Sequence, residues 1–332
     1  MQNIGIIGEG KMGSNIFYYL LDFGFTMTWV CSAEADTEKI RKAFLKKLKR
    51  SLDSGIIEIA AFDDRIQNTR ITRQIADLAA CDLIIEAIPE NLQLKQELFL
   101  KVDVIAGPDC ILATNSSSIK PSELVPSESR RERLIGLHFF YPVMLKNIAE
   151  LIITSATSQA TKDSAEQFLE KIKREYLLLD ENNGFILNRI FLSMQNEAFL
   201  MVCRGKATIR QMDDLIRENF FPFGAFDFME TVGIPTMLNS VLNYTKDYPD
   251  KCSYQPLINW LRGLADKGSV YEGNDGDLKE LPSLHRDEII SRLRISLSEA
   301  VRKFEASSGL TESKILAALD EYFGVDFALL IR

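Results

Sequence analysis

The chain has 332 residues, of which 46% are hydrophobic and 26% are charged, so it is ordinary globular material and not collagen-like, low-complexity or coiled-coil. Its formal net charge of −8 argues against nucleic-acid binding, because nucleic-acid proteins neutralise phosphates with a basic excess. No run approaches the roughly 18 apolar residues of a membrane span, and five cysteines without CxxC spacing favour a reducing compartment, so we expect a cytoplasmic protein.

The N-terminus predicts a strand, a glycine-rich turn and a helix. Residues 4–7 are a short apolar run without the cationic stretch of a signal peptide. They end in a GxGxxG pattern, after which apolar residues recur at helical spacing. Between a strand and a helix this pattern indicates a dinucleotide site, in which Gly8 permits a tight turn, Gly10 admits the pyrophosphate and Gly13 packs the helix on the sheet. A glycine turn without a ligand is the alternative.

The second predicted strand, residues 26–30, ends without the acidic residue that usually binds the cofactor ribose. Cys31 and Ser32 stand there instead. The following residues also lack the Arg or Lys that the 2′-phosphate of NADP would require. We therefore expect NAD, with NADP as the alternative, and Ser32 or Glu34 as the ribose contact.

Further apolar runs predict strands that alternate with helical patterns such as residues 91–106 and 159–174. The runs lie near residues 70–72, 82–87, 110–114, 134–138 and 148–154. This alternation predicts an α/β fold with a Rossmann-like, mostly parallel sheet. After about residue 180 helical patterns dominate, so we expect a dinucleotide-binding domain over residues 1–183 and an all-α domain over 184–332.

The predicted helical domain contains a faint internal repeat. Residues 194–212 are similar to residues 296–315, with one insertion. This indicates two degenerate copies, residues 184–280 and 284–332, with Ile290 in the second copy at the position of Asn188. Chance similarity between amphipathic helices is the alternative.

The chain has two histidines, His138 and His285. His138 ends an apolar run and is therefore expected at the carboxyl edge of the sheet, where α/β proteins bind ligands. Glu150 lies in the next strand-like run, and a carboxylate buried there needs a partner. Together they would form a proton-handling pair; a core histidine and an unrelated glutamate are the alternative. Neither the histidines nor the cysteines have metal-ligand spacing.

Five motifs follow one another along residues 8–189. They are Gly-Glu-Gly-Lys-Met-Gly at 8–13, Ile-Glu-Ala-Ile-Pro-Glu-Asn at 85–91, Ala-Thr-Asn-Ser-Ser-Ser at 113–118, Gly-Leu-His-Phe-Phe-Tyr-Pro-Val at 136–143 and Gly-Phe-Ile-Leu-Asn-Arg at 184–189. This set resembles the 3-hydroxyacyl-CoA dehydrogenase family, and residues 223–233 are similar to its helical-domain motif. The resemblance implies an NAD-dependent oxidoreductase that interconverts an L-3-hydroxyacyl thioester and the 3-oxoacyl thioester.

The resemblance also implies roles for individual residues. His138 is the expected general base and Glu150 orients it, while Ser117 and Asn188 hydrogen-bond the reacting oxygen. Helix capping is the alternative role for Ser117 and for Asn188. The expected cofactor-binding residues are Gly8, Glu9, Gly10, Lys11, Met12, Gly13, Ser32, Ala87, Glu90, Lys95 and Asn115.

Residues 39–50 predict a basic helix in an acidic protein. The matching helix of the family meets the phosphates of coenzyme A, so Lys46 and Lys47 are expected substrate contacts. An acidic acyl carrier protein would be attracted for the same reason. A solvated helix face is the alternative.

Tyr141 departs from the family pattern, which has asparagine at this position. Together with Cys31 it points to a shifted substrate or a changed contact with the cofactor. The alternative functions are a dehydrogenase of a carrier-bound or sugar-type hydroxy acid, and a dinucleotide-binding sensor or inactive partner. We expect no nucleic-acid or membrane partner, and either a monomer with an internal helical repeat or a homodimer.

Overall fold

The computed structural model describes residues 1–124, 128–264, 269–271, 281 and 283–331. The chain divides into two compact units, Met1–Gly184 and Phe185–Arg332. All strands of the described residues belong to the first unit, and the second unit is helical. The expected Rossmann-like α/β fold followed by a helical region is confirmed.

One sheet organises the first unit. Its strands are β1 (Asn3–Ile7), β2 (Thr26–Val30), β3 (Thr69–Thr72), β4 (Leu83–Glu86), β5 (Ile111–Thr114), β6 (Leu134–Phe139), β7 (Ile148–Ile153) and β8 (Glu175–Asp180). They lie in the order β3-β2-β1-β4-β5-β6-β7-β8, and β6–β7 is the antiparallel pair among otherwise parallel neighbours. The chain order reverses at β1, which has β2 on one side and β4 on the other. Parallel sheets bind ligands at the carboxyl edge of this switch point.

The sequence patterns did not predict β8. It is an edge strand with a charged residue at each end, so its apolar run is only Tyr176 to Leu179. Such a short run between two helical patterns gives little periodicity to detect.

Helices cover both faces of the sheet. They are α1 (Lys11–Leu20), α2 (Thr37–Asp53), α3 (Ile59–Gln67), α4 (Leu92–Ile105), α5 (Glu128–Arg131) and α6 (Gln159–Lys171). On β4, Leu83 and Ile85 belong to one apolar cluster and Ile84 belongs to another. Successive side chains of a strand point to opposite faces, so both faces of β4 are buried, which explains its continuous apolar sequence.

The second unit is built on a long buried helix. Its helices are α7 (Ile186–Cys203), α8 (Ile209–Asn219), α9 (Ala225–Val232), α10 (Ile234–Thr245), α11 (Gln255–Leu264), α12 (Ser283–Ser308), α13 (Glu312–Phe323) and α14 (Phe327–Leu330). Helix α12 packs along α7 and buries one stripe of apolar side chains, namely Leu293, Leu297, Val301 and Phe304.

A similar arrangement occurs twice in this unit. Thr208 caps α8 and Thr311 caps α13, each through its side-chain oxygen. An aspartate of the capped helix binds the short helix that follows it in both cases. The N–H of Phe226 donates to Asp213 at 2.9 Å, and the N–H of Phe327 donates to Asp320 at 2.7 Å. The two stretches therefore share one hydrogen-bond pattern, while the division into two degenerate copies stays a prediction.

Candidate functional site

The glycine turn is shaped by close backbone approaches. Gly8 has φ of +116°, and a Cβ atom there would lie 2.5 Å from the carbonyl oxygen of Ala87. A Cβ atom on Gly13 would lie 2.1 Å from the carbonyl oxygen of Gly8. Neither position has room for a side chain, so the structure requires glycine at both.

Gly10 differs from the other two glycines because a Cβ atom there would meet nothing within 4 Å. It precedes α1, whose N-terminus has neither a side-chain cap nor an acidic residue in its first turn. The unpaired N–H groups and the positive end of the helix dipole suit a pyrophosphate. This end of α1 therefore fits the dinucleotide that the motif predicts.

The carboxylate of Glu9 is held at the end of β2. It accepts hydrogen bonds from the Ser32 hydroxyl at 2.5 Å and from the Ser32 N–H at 2.9 Å. Burial alone would raise the pKa of Glu9, but the hydrogen bonds from Ser32 and from the backbone N–H of Glu9 itself outweigh burial and hold the pKa below its usual value. Burial, together with the charge of Glu9, raises the pKa of the Cys31 thiol to about 11, so Cys31 is a poor nucleophile.

A buried ion pair lies at the end of β4. Lys95 and Glu86 are each 1% exposed, and the ammonium donates to Glu86 at 2.5 Å. The same ammonium lies 3.5 Å from the carboxylate of Glu90. Thr114, on β5, donates its hydroxyl to the second oxygen of Glu86 at 2.7 Å. Lys95 is therefore a buried bridge between two carboxylates.

Glu90 organises the segment that follows β5. The hydroxyls of Ser116 and Ser118 donate to one oxygen of Glu90 at 2.6 and 2.7 Å, and the N–H of Ser117 donates to it at 3.2 Å. Burial would raise the pKa of Glu90, but Lys95, the two serine hydroxyls and the electrostatic interaction with His138 together lower it. Glu90 thus remains ionised and holds the backbone that carries Ser117.

Asn115 connects this segment to β6. Its side-chain oxygen accepts a hydrogen bond from the N–H of Phe139 at 2.9 Å. Phe139 directly follows His138, so Asn115 positions the end of the strand that carries the histidine.

His138 and Glu150 form a buried pair across β6 and β7. The antiparallel register places the two residues directly opposite each other, and Nδ1 of His138 lies 2.8 Å from a carboxylate oxygen of Glu150. The side chains are 5% and 0% exposed. When Nδ1 carries the ring proton, it donates this hydrogen bond to the Glu150 carboxylate, and the lone pair of the ring then lies on Nε2.

Tyr141 contacts the glycine turn. Its ring lies under the ammonium of Lys11 at 4.0 Å from the ring centre, a cation–π geometry, and the residue is 44% exposed. The residue that departs from the family pattern therefore meets the first residue of α1.

The two predicted substrate contacts on the basic helix α2, Lys46 and Lys47, have different surroundings. The ammonium of Lys47 lies 3.6 Å from the ring centre of Tyr18, and burial lowers its pKa against the opposing effect of Asp22. Lys46 is exposed to solvent.

Asn188 lies in the second unit, near the start of α7, where two tyrosines hold its amide. Its nitrogen donates to the Tyr244 hydroxyl at 3.3 Å, and its oxygen accepts from the Tyr322 hydroxyl at 3.2 Å. Sequence reasoning missed both tyrosines, because they are distant in the chain and no motif contains them.

Within the described parts of the chain, no group of three or more His, Cys, Asp and Glu side chains could hold a metal ion. The same residues include no helix that is long and apolar enough to cross a bilayer.

Family models match most of the chain. Residues 3–182 match the NAD binding domain of 3-hydroxyacyl-CoA dehydrogenase, and residues 184–275 match its C-terminal domain. This chain belongs to the 3-hydroxyacyl-CoA dehydrogenase family. Its cofactor is accordingly NAD, and the glycine turn and the free N-terminus of α1 fit that cofactor.

Individual relatives agree with the family models. The mitochondrial hydroxyacyl-coenzyme A dehydrogenase of Rattus norvegicus is 30% identical over 274 residues, which are 80% of this chain and 87% of the relative. The crystal structure of (S)-3-hydroxybutyryl-CoA dehydrogenase from Ralstonia eutropha is 28% identical with a TM-score of 0.70, over 81% of this chain and 94% of that one.

A third comparison extends to the C-terminus. The dehydrogenase part of a multifunctional enzyme from C. elegans is 21% identical with a TM-score of 0.55, over 98% of this chain and 79% of that one. At this identity the likeness concerns the fold alone.

Two of the three turn glycines, Gly10 and Gly13, provide a test of how this family member binds its cofactor. Gly13→Ala should lower the free energy of unfolding by about 1–3 kcal/mol, because the new methyl group overlaps the Gly8 carbonyl. Gly10→Ala should change stability by less than about 0.5 kcal/mol but weaken NADH binding at least tenfold, since its methyl group occupies the open approach to the backbone. Thermal unfolding and NADH titration measure the two effects. Equal destabilisation, or wild-type NADH affinity in Gly10→Ala, would contradict this assignment.

Proposed function

We propose that this protein interconverts an L-3-hydroxyacyl thioester and the corresponding 3-oxoacyl thioester, with His138 as general base and Glu150 as its partner. This proposal rests on the buried hydrogen bond of 2.8 Å between the His138 and Glu150 side chains. The names of the rat and Ralstonia relatives support coenzyme A as the carrier of the acyl group.

The pair is suited to moving one proton in either direction. Glu150 keeps a proton on Nδ1 of His138, so Nε2 takes the proton of the substrate hydroxyl during oxidation. The imidazolium that forms is stabilised by Glu150 and by the interaction with Glu90. During reduction the same Nε2–H returns the proton to the carbonyl oxygen.

Neutral groups complete the proposed site. Ser117 and Asn188 hydrogen-bond the reacting oxygen, because a hydroxyl and an amide hold an alcohol or a ketone without adding charge. NAD held in this site would supply the acceptor for the hydride of the carbon that bears the hydroxyl, and NADH would supply the hydride for the reverse reaction. The glycine turn, Ser32, Ala87, Glu90 and Asn115 hold the cofactor, and Lys95 contributes by fixing Glu86 and Glu90.

The exposed basic residues of α2 fit the carrier of the acyl group. We assign Lys46 to the phosphates of coenzyme A, with Lys47 beside it on Tyr18. An acyl carrier protein would meet the same helix, and the two carriers are distinguished by comparing the thioesters as substrates. The five cysteines are all free, which supports a location in the reducing cytoplasm.

The first test is NADH oxidation with acetoacetyl-CoA, repeated with NADPH. Wild-type protein should turn over with NADH, and His138→Gln should reduce the rate about 10²- to 10⁴-fold with NADH binding retained. His285→Gln replaces the other histidine, on α12, and serves as the matched control with wild-type rates. An unchanged rate in His138→Gln refutes the base assignment. Bound NADH without turnover in the wild type points to another hydroxy acid or to a sensor.

The repeat predicts the oligomeric state. If residues 284–332 act as a second copy of the helical domain, α12 covers a face of α7 that would otherwise be open to a second chain, and the protein is a monomer. Light scattering should then give the mass of one chain, 37.6 kDa. A dimer paired through the face of α7 beneath α12 would refute the repeat.

A further inference from the structure

The end of β2 carries a carboxylate that the strand itself does not supply. After Val30 the chain continues with Cys31 and Ser32, neither of which is acidic. The carboxylate of Glu9, from the glycine turn, lies there instead, bound to both the hydroxyl and the N–H of Ser32. The negative group expected at this strand end is therefore present but comes from another segment.

The backbone on both sides of this contact is fixed. The N–H of Gly8 donates to the carbonyl of Val30 at 2.9 Å, and the Trp29 indole N–H donates to the carbonyl of Gly8 at 2.9 Å. Glu9 directly follows Gly8, so its starting point is held against β2. The position of the carboxylate thus follows from the fold of the turn as well as from its own hydrogen bonds.

The Glu9 carboxylate has spare capacity for a ligand. Each of its oxygens has two lone pairs, and Ser32 uses one on each. Its lowered pKa keeps it ionised at neutral pH. An ionised carboxylate accepts hydrogen bonds from ribose hydroxyls and repels a phosphate.

We propose that Glu9 replaces the missing acid of β2, accepts the ribose hydroxyls of NAD and disfavours the 2′-phosphate of NADP. Ser32 is then a positioning residue that holds Glu9.

The guanidinium of Arg73 donates to the carbonyl of Ala33 at 3.2 Å, so a cation lies beside this loop. Without the charge of Glu9, Arg73 would be left to attract the 2′-phosphate. The inference concerns cofactor choice and does not depend on which acyl substrate is used.

The test is direct binding of NADH and of NADPH, followed by nicotinamide fluorescence without any acyl substrate. Glu9→Gln should weaken NADH binding about 10- to 100-fold, the effect of losing charged hydrogen bonds. NADPH binding should be retained or improved, so the preference for NADH falls at least tenfold. Ser32→Ala should shift the preference in the same direction by a smaller factor.

Two other glutamates of this region provide the comparison. Glu34→Gln tests the competing ribose contact, and Glu38→Gln, exposed in the first turn of α2, is the matched control. Both should keep the wild-type preference. Equal weakening of NADH and NADPH by Glu9→Gln, an unchanged preference, or a larger shift in Glu34→Gln overturns the proposal. Glu9→Ala provides the same measurement if the glutamine variant does not fold.

The C-terminal segment contributes a hydrogen bond to Asn188. The family model of the C-terminal domain ends at residue 275, so α13 lies beyond it. Tyr322 on α13 nevertheless donates its hydroxyl to the side-chain oxygen of Asn188. With that oxygen engaged, the amide group is oriented so that its nitrogen is the end that donates, as it does to Tyr244.

We infer that Tyr322 is a positioning residue that sets the orientation of the Asn188 amide. This inference rests on the proposed function, in which Asn188 binds the reacting oxygen. The ring of Tyr322 packs 4.5 Å from that of Phe323, and Tyr322→Phe keeps this packing while removing the hydroxyl.

Rates with acetoacetyl-CoA distinguish the role of Tyr322 from that of Asn188. Tyr322→Phe should lower kcat about fivefold, the effect of one net hydrogen bond, with the NADH affinity and the unfolding temperature unchanged. Asn188→Ala should lower kcat further, and adding Tyr322→Phe to it should have no additional effect. Additive losses, or wild-type rates in Tyr322→Phe when Asn188→Ala is impaired, overturn this inference. Wild-type rates in Asn188→Ala refute the role of Asn188 itself, and this inference with it.

Discussion

A carboxylate without solvent contact on a sheet strand must be paired, and Glu150 satisfies this requirement through His138. Leaving such a charge alone would cost several kcal/mol. The antiparallel register of β6 and β7 places the two side chains opposite each other and within hydrogen-bonding distance. The direction of β7 therefore matters for the chemistry of this pair, since the register that it sets brings the two side chains together.

The same principle extends along the carboxyl edge of the sheet. Glu86 is buried with Lys95, and Lys95 also approaches Glu90, which holds the serine segment after β5. Glu9 is bound at the end of β2. The ends of β2 and β4 near the switch point thus carry acidic side chains whose partners determine their positions. Such groups are pre-organised for a polar cofactor and substrate, because their hydrogen bonds are formed before either binds.

Much of the fold follows from local patterns. The strand, turn and helix around residues 8–13 are predictable because the positive φ of Gly8 and the close backbone contacts of Gly8 and Gly13 admit only glycine at these two positions. Continuous apolar runs identify strands such as β4, which is buried on both faces. The edge strand β8 lacks such a run and was missed. His138 and Glu150 are recognisable as candidates, but their contact depends on a register that the sequence does not display.

The sequence by itself determined the α/β order, the glycine turn and the residue types of the site, because each is encoded within a few neighbouring residues. Tertiary structure alone decided the partners: Ser32 for Glu9, Glu86 for Lys95, and Tyr322 for Asn188. These pairs join residues 23, 9 and 134 positions apart. Hydrogen bonds and ion pairs act over a few ångströms of space, so a partner becomes known only when the folded chain has brought distant segments together.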